Sequence, residues 1–145
     1  SNNLAFGYNM KFVFLCDSNY LKGDYSAFTN NFPVEHELLV MSAEDFLKAK
    51  RFPEGTFAIL TERSTWQKNF SLFRYFGLLN MLEVLPLGLV GRFRRQDALK
   101  GRSAVKHQEF ILNPASTTEE LSALLNKFIA APPVSFSYPK GAAKA

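Results

Sequence analysis

Residues 110 to 121 read Phe110-Ile111-Leu112-Asn113-Pro114-Ala115-Ser116-Thr117-Thr118-Glu119-Glu120-Leu121, an apolar run too short for a helix followed within a few residues by a helix start. Thr117-Thr118-Glu119-Glu120 has the form of a capping box, in which a hydroxyl and a carboxylate each take a backbone N–H that the first helical turn leaves open. Beyond it Leu121, Leu124, Leu125, Phe128 and Ile129 fall on one helical stripe. Asn113-Pro114 therefore stands between a strand and a helix, at the carboxyl end of the strand, where open α/β sheets carry their chemistry.

The same handover recurs upstream. Near-continuous apolar runs at Lys11 to Cys16, Glu37 to Met41, Thr56 to Leu60, Leu85 to Val90 and Glu109 to Leu112 read as five strands buried on both faces. They end at Asp17, Met41, Thr61, Gly91 and Asn113. Helical patterns alternate with them. Leu21, Tyr25, Phe28 and Phe32 place a helix over Tyr20 to Phe32 in spite of Gly23. Ser42 offers an N-cap, with Glu44 and Asp45 in the first turn, for a short helix that stops before Pro53. Trp66, Phe70, Phe73 and Phe76 mark a further helix ending near Gly77, and Arg92 to Val105 carries a weak pattern interrupted by Gly101. Alternation of this kind predicts an α/β fold, a parallel sheet with helices on both faces.

A chain of 145 residues with 47% hydrophobic residues has enough core for one domain without disulfides or metal. Residues 1 to 9 precede Met10, a plausible initiator, and read as an extension or expression scar; residues 10 to 131 form the domain, and residues 132 to 145, rich in Pro, Ala and Gly, read as a tail or linker. The single Cys16 sits inside an apolar run and reads as a buried thiol, which with the lack of a membrane span or leader points to the cytoplasm. His36 and His107 stand apart from any Cys, Asp or Glu at metal-ligand spacing and read as surface residues. No P-loop, nucleophile-elbow or dinucleotide-binding pattern occurs. The 15 phenylalanines fall mostly at periodic core positions, which argues against stacking platforms for nucleic acid.

Over about residues 11 to 130 the arrangement resembles the receiver domain of two-component response regulators, a doubly wound five-stranded flavodoxin-like fold. The separations Asp17 to Thr61 (44 residues), Thr61 to Gly91 (30) and Gly91 to Asn113 (22) resemble those of single-domain receivers. The resemblance implies a site at Cys16, Asp17, Thr61, Gly91, Asn113 and Pro114. The acidic pair that holds Mg²⁺ in the family matches Cys16 and Asp17, which leaves one carboxylate. The phosphoacceptor Asp matches Thr61, the Thr or Ser after the fourth strand matches Gly91, and the Lys-Pro after the fifth matches Asn113-Pro114, keeping the family's cis proline and losing its cation. The toggling aromatic has its counterpart in Phe110.

Aspartyl phosphorylation requires a carboxylate nucleophile, a divalent ion on the phosphoryl oxygens and a cation near the product. With the first and last replaced and the metal ligands halved, the resemblance implies a degenerate receiver with no catalytic residue, no metal and no cofactor, acting without phosphorylation. Glu62, beside Thr61, reads as a solvated loop carboxylate rather than as a fixed imitation of the phosphoryl charge.

Arg92, Arg94, Arg95, Lys100, Arg102 and Lys106 concentrate the net charge of +4 in one segment. They lie on the fourth helix of the receiver pattern, and that helix with the fifth strand, including Phe110, and the fifth helix makes the face through which a signalling protein or a second copy would dock. A small anionic ligand or nucleotide, or the phosphates of a nucleic acid, bound in the degenerate cleft or on the basic segment 92–106, is the alternative; sequence-specific DNA binding has no support without a recognition-helix pattern.

Overall fold

The computed structural model describes residues 10–17, 25–76, 85–91, 110–113 and 116–130. Lys11–Cys16 is β1, and every residue from Phe12 to Cys16 is at most 1% exposed. A strand turns successive side chains to opposite faces, so this run contributes to two separate cores. Phe12, Phe14 and Cys16 pack with Ala58, Leu60, Val90, Leu112, Phe28, Phe32, Leu121, Leu125 and Phe128 on one face. Val13 and Leu15 pack with Ile59, Leu87, Leu89, Ala43, Phe46, Trp66, Phe70 and Phe73 on the other.

The remaining strands are β2 (Glu37–Ser42), β3 (Thr56–Glu62), β4 (Leu87–Val90) and β5 (Phe110–Leu112). Their order in the sheet is β2-β1-β3-β4-β5, with every neighbouring pair parallel. One rung of the sheet runs Met41, Leu15, Thr61, Leu89, Ile111. Not every strand is buried on both faces as its apolar run suggests. β2 is an edge strand, and Glu37, Leu39 and Val40 are exposed. β4 begins at Leu87 rather than Leu85, and Leu85 packs only partly buried against the second core.

Helix α1 (Ser26–Asn30) is the described part of the helix expected from Tyr20; residues 18–24 lie outside the described set. Helix α2 (Ala43–Ala49) starts where the sequence places it, with the Asp45 N–H donating to Ser42 Oγ at 3.0 Å. It ends at Lys50, a left-handed residue with φ 56°, and Phe52 folds back to stack on Phe46 with ring centroids 4.2 Å apart. Helix α3 (Arg63–Tyr75) buries Thr65, Trp66, Asn69, Phe70 and Phe73, one face at helical spacing. Helix α4 (Thr118–Ala130) opens on the expected capping box, since the Thr117 N–H donates to Glu120 Oε1 at 2.8 Å and the Glu120 N–H to Thr117 Oγ1 at 3.2 Å. The helix expected over Arg92 to Val105 lies outside the described residues.

α4 can lie close to the sheet because β4 has no side chain at Gly88. A Cβ there would stand 2.7 Å from Leu60 Cδ2 and 3.6 Å from the Phe128 ring. Both neighbours are buried and packed against the same core, so neither can give way without moving others.

His36 departs from the surface position expected of it. It is 8% exposed, with its ring 5.4 Å from Phe12 and 6.5 Å from Phe32, both edge-on, and its Nδ1 has no hydrogen-bond partner among the described residues. Burial holds its pKa below the usual histidine value, against the opposing charge of Glu35.

Two outcomes follow from this packing. Gly88→Ala should lower the unfolding free energy by about 1–3 kcal/mol through overpacking against Leu60 and Phe128, as measured by urea unfolding. Because the folded-state pKa of His36 lies below the unfolded value of 6.5, its contribution to stability is complete above that value and is lost as the pH falls from there towards the folded pKa. The urea midpoint should therefore decline on acidification, and His36→Phe should reduce that decline; an unchanged slope would remove His36 as its source.

Candidate functional site

The carboxyl ends of the strands carry the candidate residues, and the register fixes their depths. Asp17 follows β1, Gly91 follows β4 and Asn113 follows β5. Val90 pairs with Leu112 and with Glu62, so Glu62 stands one rung below Gly91 and Asn113, and Thr61 two rungs below. At about 3.3 Å per residue, Thr61 lies roughly 6–7 Å deeper than the mouth of the sheet. The structure brings Asp17, Glu62, Gly91 and Asn113 towards one end and leaves Thr61 within the core.

Thr61 is fully buried, between Leu15 and Leu89 on its rung, and its hydroxyl donates to the Leu15 carbonyl at 3.1 Å. Such a hydroxyl satisfies itself against the neighbouring strand and is closed to an incoming reactant.

Glu62 is not the solvated loop residue expected from the sequence. It is 4% exposed because β3 passes directly into α3 with no intervening loop, making the last strand residue the N-cap of the helix. Its Oε1 accepts from the Thr65 N–H at 3.0 Å, from Ser64 Oγ at 2.6 Å and from Thr65 Oγ1. A negative group at this point satisfies backbone donors of the first turn and sits favourably in the field of the helix. The helix N-terminus at the site thus already holds an anion, supplied by the chain itself.

Asp17 is paired with a residue that sequence reasoning did not single out. Lys68 Nζ, from the second turn of α3, lies 3.1 Å from Asp17 Oδ2, with the lysine side chain 69% exposed and the aspartate 19%. A pair this accessible stabilises the fold by no more than about 1 kcal/mol, but it puts an ammonium group beside the one carboxylate that matches the metal ligands implied by the resemblance.

Cys16 is buried, and its Sγ lies 3.8 Å from the Met41 carbonyl oxygen, which it meets as a weak donor. Burial, then the charges of Glu62 and Asp17, push its thiol up to about 12. Gly91 has φ 107°, a region that favours glycine, and a Cβ there would meet the Tyr25 hydroxyl at 2.7 Å. The Gly91 N–H donates to the Leu112 carbonyl at 2.8 Å, so it is not open to a ligand. Asn113 is exposed, and its carbonyl accepts from the Ser116 N–H at 3.1 Å, just ahead of α4. Pro114 and its cis bond, the side chain of Phe110, and Arg92, Arg94, Arg95, Lys100, Arg102, Lys106 and His107 lie outside the described residues.

A divalent ion does not fit these residues. Mg²⁺ takes carboxylate oxygens in a near-octahedral shell, whereas Asp17 holds an ammonium group, Cys16 presents a protonated thiol and Glu62 Oε1 has three donors of its own. Among the described residues no group of three or more His, Cys, Asp or Glu is placed to hold a metal.

No family model matches the chain, and no curated protein matches it. Solved structures do. A response regulator receiver protein from Sinorhizobium medicae WSM419 superimposes with a TM-score of 0.50 at 12% identity, over 85% of this chain and 96% of that one. One from Pseudoalteromonas atlantica gives 0.51 at 15% identity, over 81% and 96%. The fold is that of receiver domains, an α/β unit about a parallel sheet. Among the described residues no helix is long and apolar enough to cross a membrane.

The state of Cys16 gives a direct check on the geometry. At mildly alkaline pH the native thiol should react with a disulfide reagent at least about 100-fold more slowly than the thiol of the chain unfolded in urea, since burial removes both thiolate and access. Stopped-flow thiol titration measures this, and equal rates would show that the end of β1 is open.

Proposed function

We propose that this protein is a degenerate receiver, a doubly wound unit that serves as a non-enzymatic signalling or scaffolding module in the cytoplasm and works by protein contact independently of phosphorylation. The observation that carries the reading is the fate of Thr61. Where the family places its nucleophile, this chain has a hydroxyl at the bottom of the site, bonded to the Leu15 carbonyl and 0% exposed. Phosphoryl transfer depends on positioned charge around an accessible acceptor, and the charged groups nearest here, Asp17 and Glu62, are engaged by Lys68 and by the first turn of α3.

The docking face in this proposal is the one the receiver pattern would build from the helix expected over residues 92–105, β5 and α4, where the six cationic side chains of residues 92–106 favour an acidic partner surface. Binding of a small anion in the cleft is the weaker reading, since the described mouth carries the carboxylates of Asp17 and Glu62 and the Gly91 N–H is already donated to Leu112.

Incubation with acetyl phosphate, or with beryllofluoride, in the presence of Mg²⁺ tests the proposal. The intact mass should stay unchanged, and the amide resonances of Asp17, Thr61 and Glu62 should not move. A stoichiometric gain of one phosphoryl group, or a saturable shift at those amides, would show an acceptor still at work and end this reading.

A further inference from the structure

At the edge of the sheet opposite β5, β2 presents a strand that no other strand covers among the described residues. Its six residues pair with β1 in an unbroken register from Lys11↔Glu37 to Cys16↔Ser42. Natural edge strands are shortened, bulged or given inward charges and prolines to prevent pairing with another chain. β5 is only three residues long. β2 carries none of these devices between Leu38 and Ser42, and Leu39 and Val40 are 37% and 38% exposed on its two faces.

The backbone shows which residues face outward. The Glu37 N–H donates to the Met10 carbonyl at 3.0 Å, so the odd-numbered residues of β2 direct their backbone groups at β1. Leu38 and Val40 direct both of theirs away from the sheet, and Ser42 its N–H, its carbonyl being the first acceptor of α2. A row of outward N–H and C=O groups bounded by apolar side chains is matched by another strand and by little else.

We infer that β2 is a self-association edge, pairing antiparallel with β2 of a second copy about a two-fold axis through Val40. Such an axis stands normal to the sheet, so opposed side chains must share a face and opposed residue numbers must sum to an even value. With Val40 on the axis, Val40 opposes Val40 and exchanges both backbone hydrogen bonds with it, Leu39 opposes Met41, and Leu38 opposes Ser42. Glu37, the one charged residue of the strand, falls opposite Ala43, past the end of the pairing. A parallel arrangement in register would instead set Glu37 against Glu37, and a pair centred on Leu39 would bury Glu37 against Met41. The same five residues, Leu38 to Ser42, supply both halves of the Val40-centred register without an unpaired charge, which favours a second copy over an unrelated strand. A contact limited to five residues of one strand from each copy is small beside the roughly 1,200 Å² of a stable interface, so the association is weak and is populated at high concentration.

Site-specific cross-linking of the full chain tests this. Directly opposed residues of a hydrogen-bonded antiparallel pair have Cα atoms about 5.5 Å apart, within disulfide range, whereas two Glu37 residues stand far apart in this register. Under mild oxidation Val40→Cys should form covalent dimer at least about 10-fold faster than Glu37→Cys. The unmodified chain should show a sedimentation coefficient that rises between about 10 µM and about 1 mM, the range in which weak interfaces fill, with slower amide exchange at Val40 over the same range. Equal cross-linking at the two positions, or a monomer with unchanged Val40 exchange throughout, would overturn the inference. So would a chain that dimerises only after removal of residues 131–145, because the tail would then be the occupant of the edge.

Discussion

Burial of β1 on both faces sets the terms for the rest of the molecule. Five consecutive side chains, Phe12 to Cys16, have no appreciable contact with water, and alternate ones belong to different cores. Each fully buried aromatic or aliphatic side chain is worth about 1.5–3 kcal/mol, so this strand and β3 beside it concentrate much of the driving force for folding. Because β3 runs equally deep, Thr61 belongs to the core before it can belong to a site. Reactive groups are confined to the last rung of the strands and the residues just beyond them, and there the chain provides Asp17, Glu62, Gly91 and Asn113.

At that rim the chain answers its own polar groups. The Asp17 carboxylate meets Lys68, Glu62 caps α3 and the Gly91 N–H reaches the Leu112 carbonyl. A site prepared for an exchangeable ligand keeps donors and acceptors aligned on a space that the ligand fills, and stabilises charge as it develops. Here the same kinds of atoms are used to join β1 to α3, β3 to α3 and β4 to β5. The arrangement is architectural: polar atoms at the ends of the strands hold elements to one another.

Much of this was legible from local sequence. β1 has the bounds that its apolar run gives, and the caps at Ser42 and Thr117 form the bonds that their spacing implies. What could not be read depends on residues distant in the chain. His36, flanked by Glu35 and Glu37, has the local signature of a surface residue and is buried by Phe12 and Phe32. Lys68 reaches Asp17 across 51 positions. The exposure of β2 follows from its place at the end of the sheet order, which an apolar run does not encode. Glu62 was missed for a chemical reason, since Glu is not among the favoured capping residues, and a strand that becomes a helix without a loop leaves no turn signal.

Trp66 adds an optical consequence. It is the single tryptophan of the chain, is 2% exposed on the first turn of α3, and has an indole N–H with no acceptor among the described residues. An indole held dry beside Phe70 emits at shorter wavelength than one in water, and its colour and yield depend on how α3 seats over the sheet. The tryptophan emission of the chain therefore originates one turn from Glu62 and two residues from Lys68, so the rim of the sheet carries its own lamp, readable without a label.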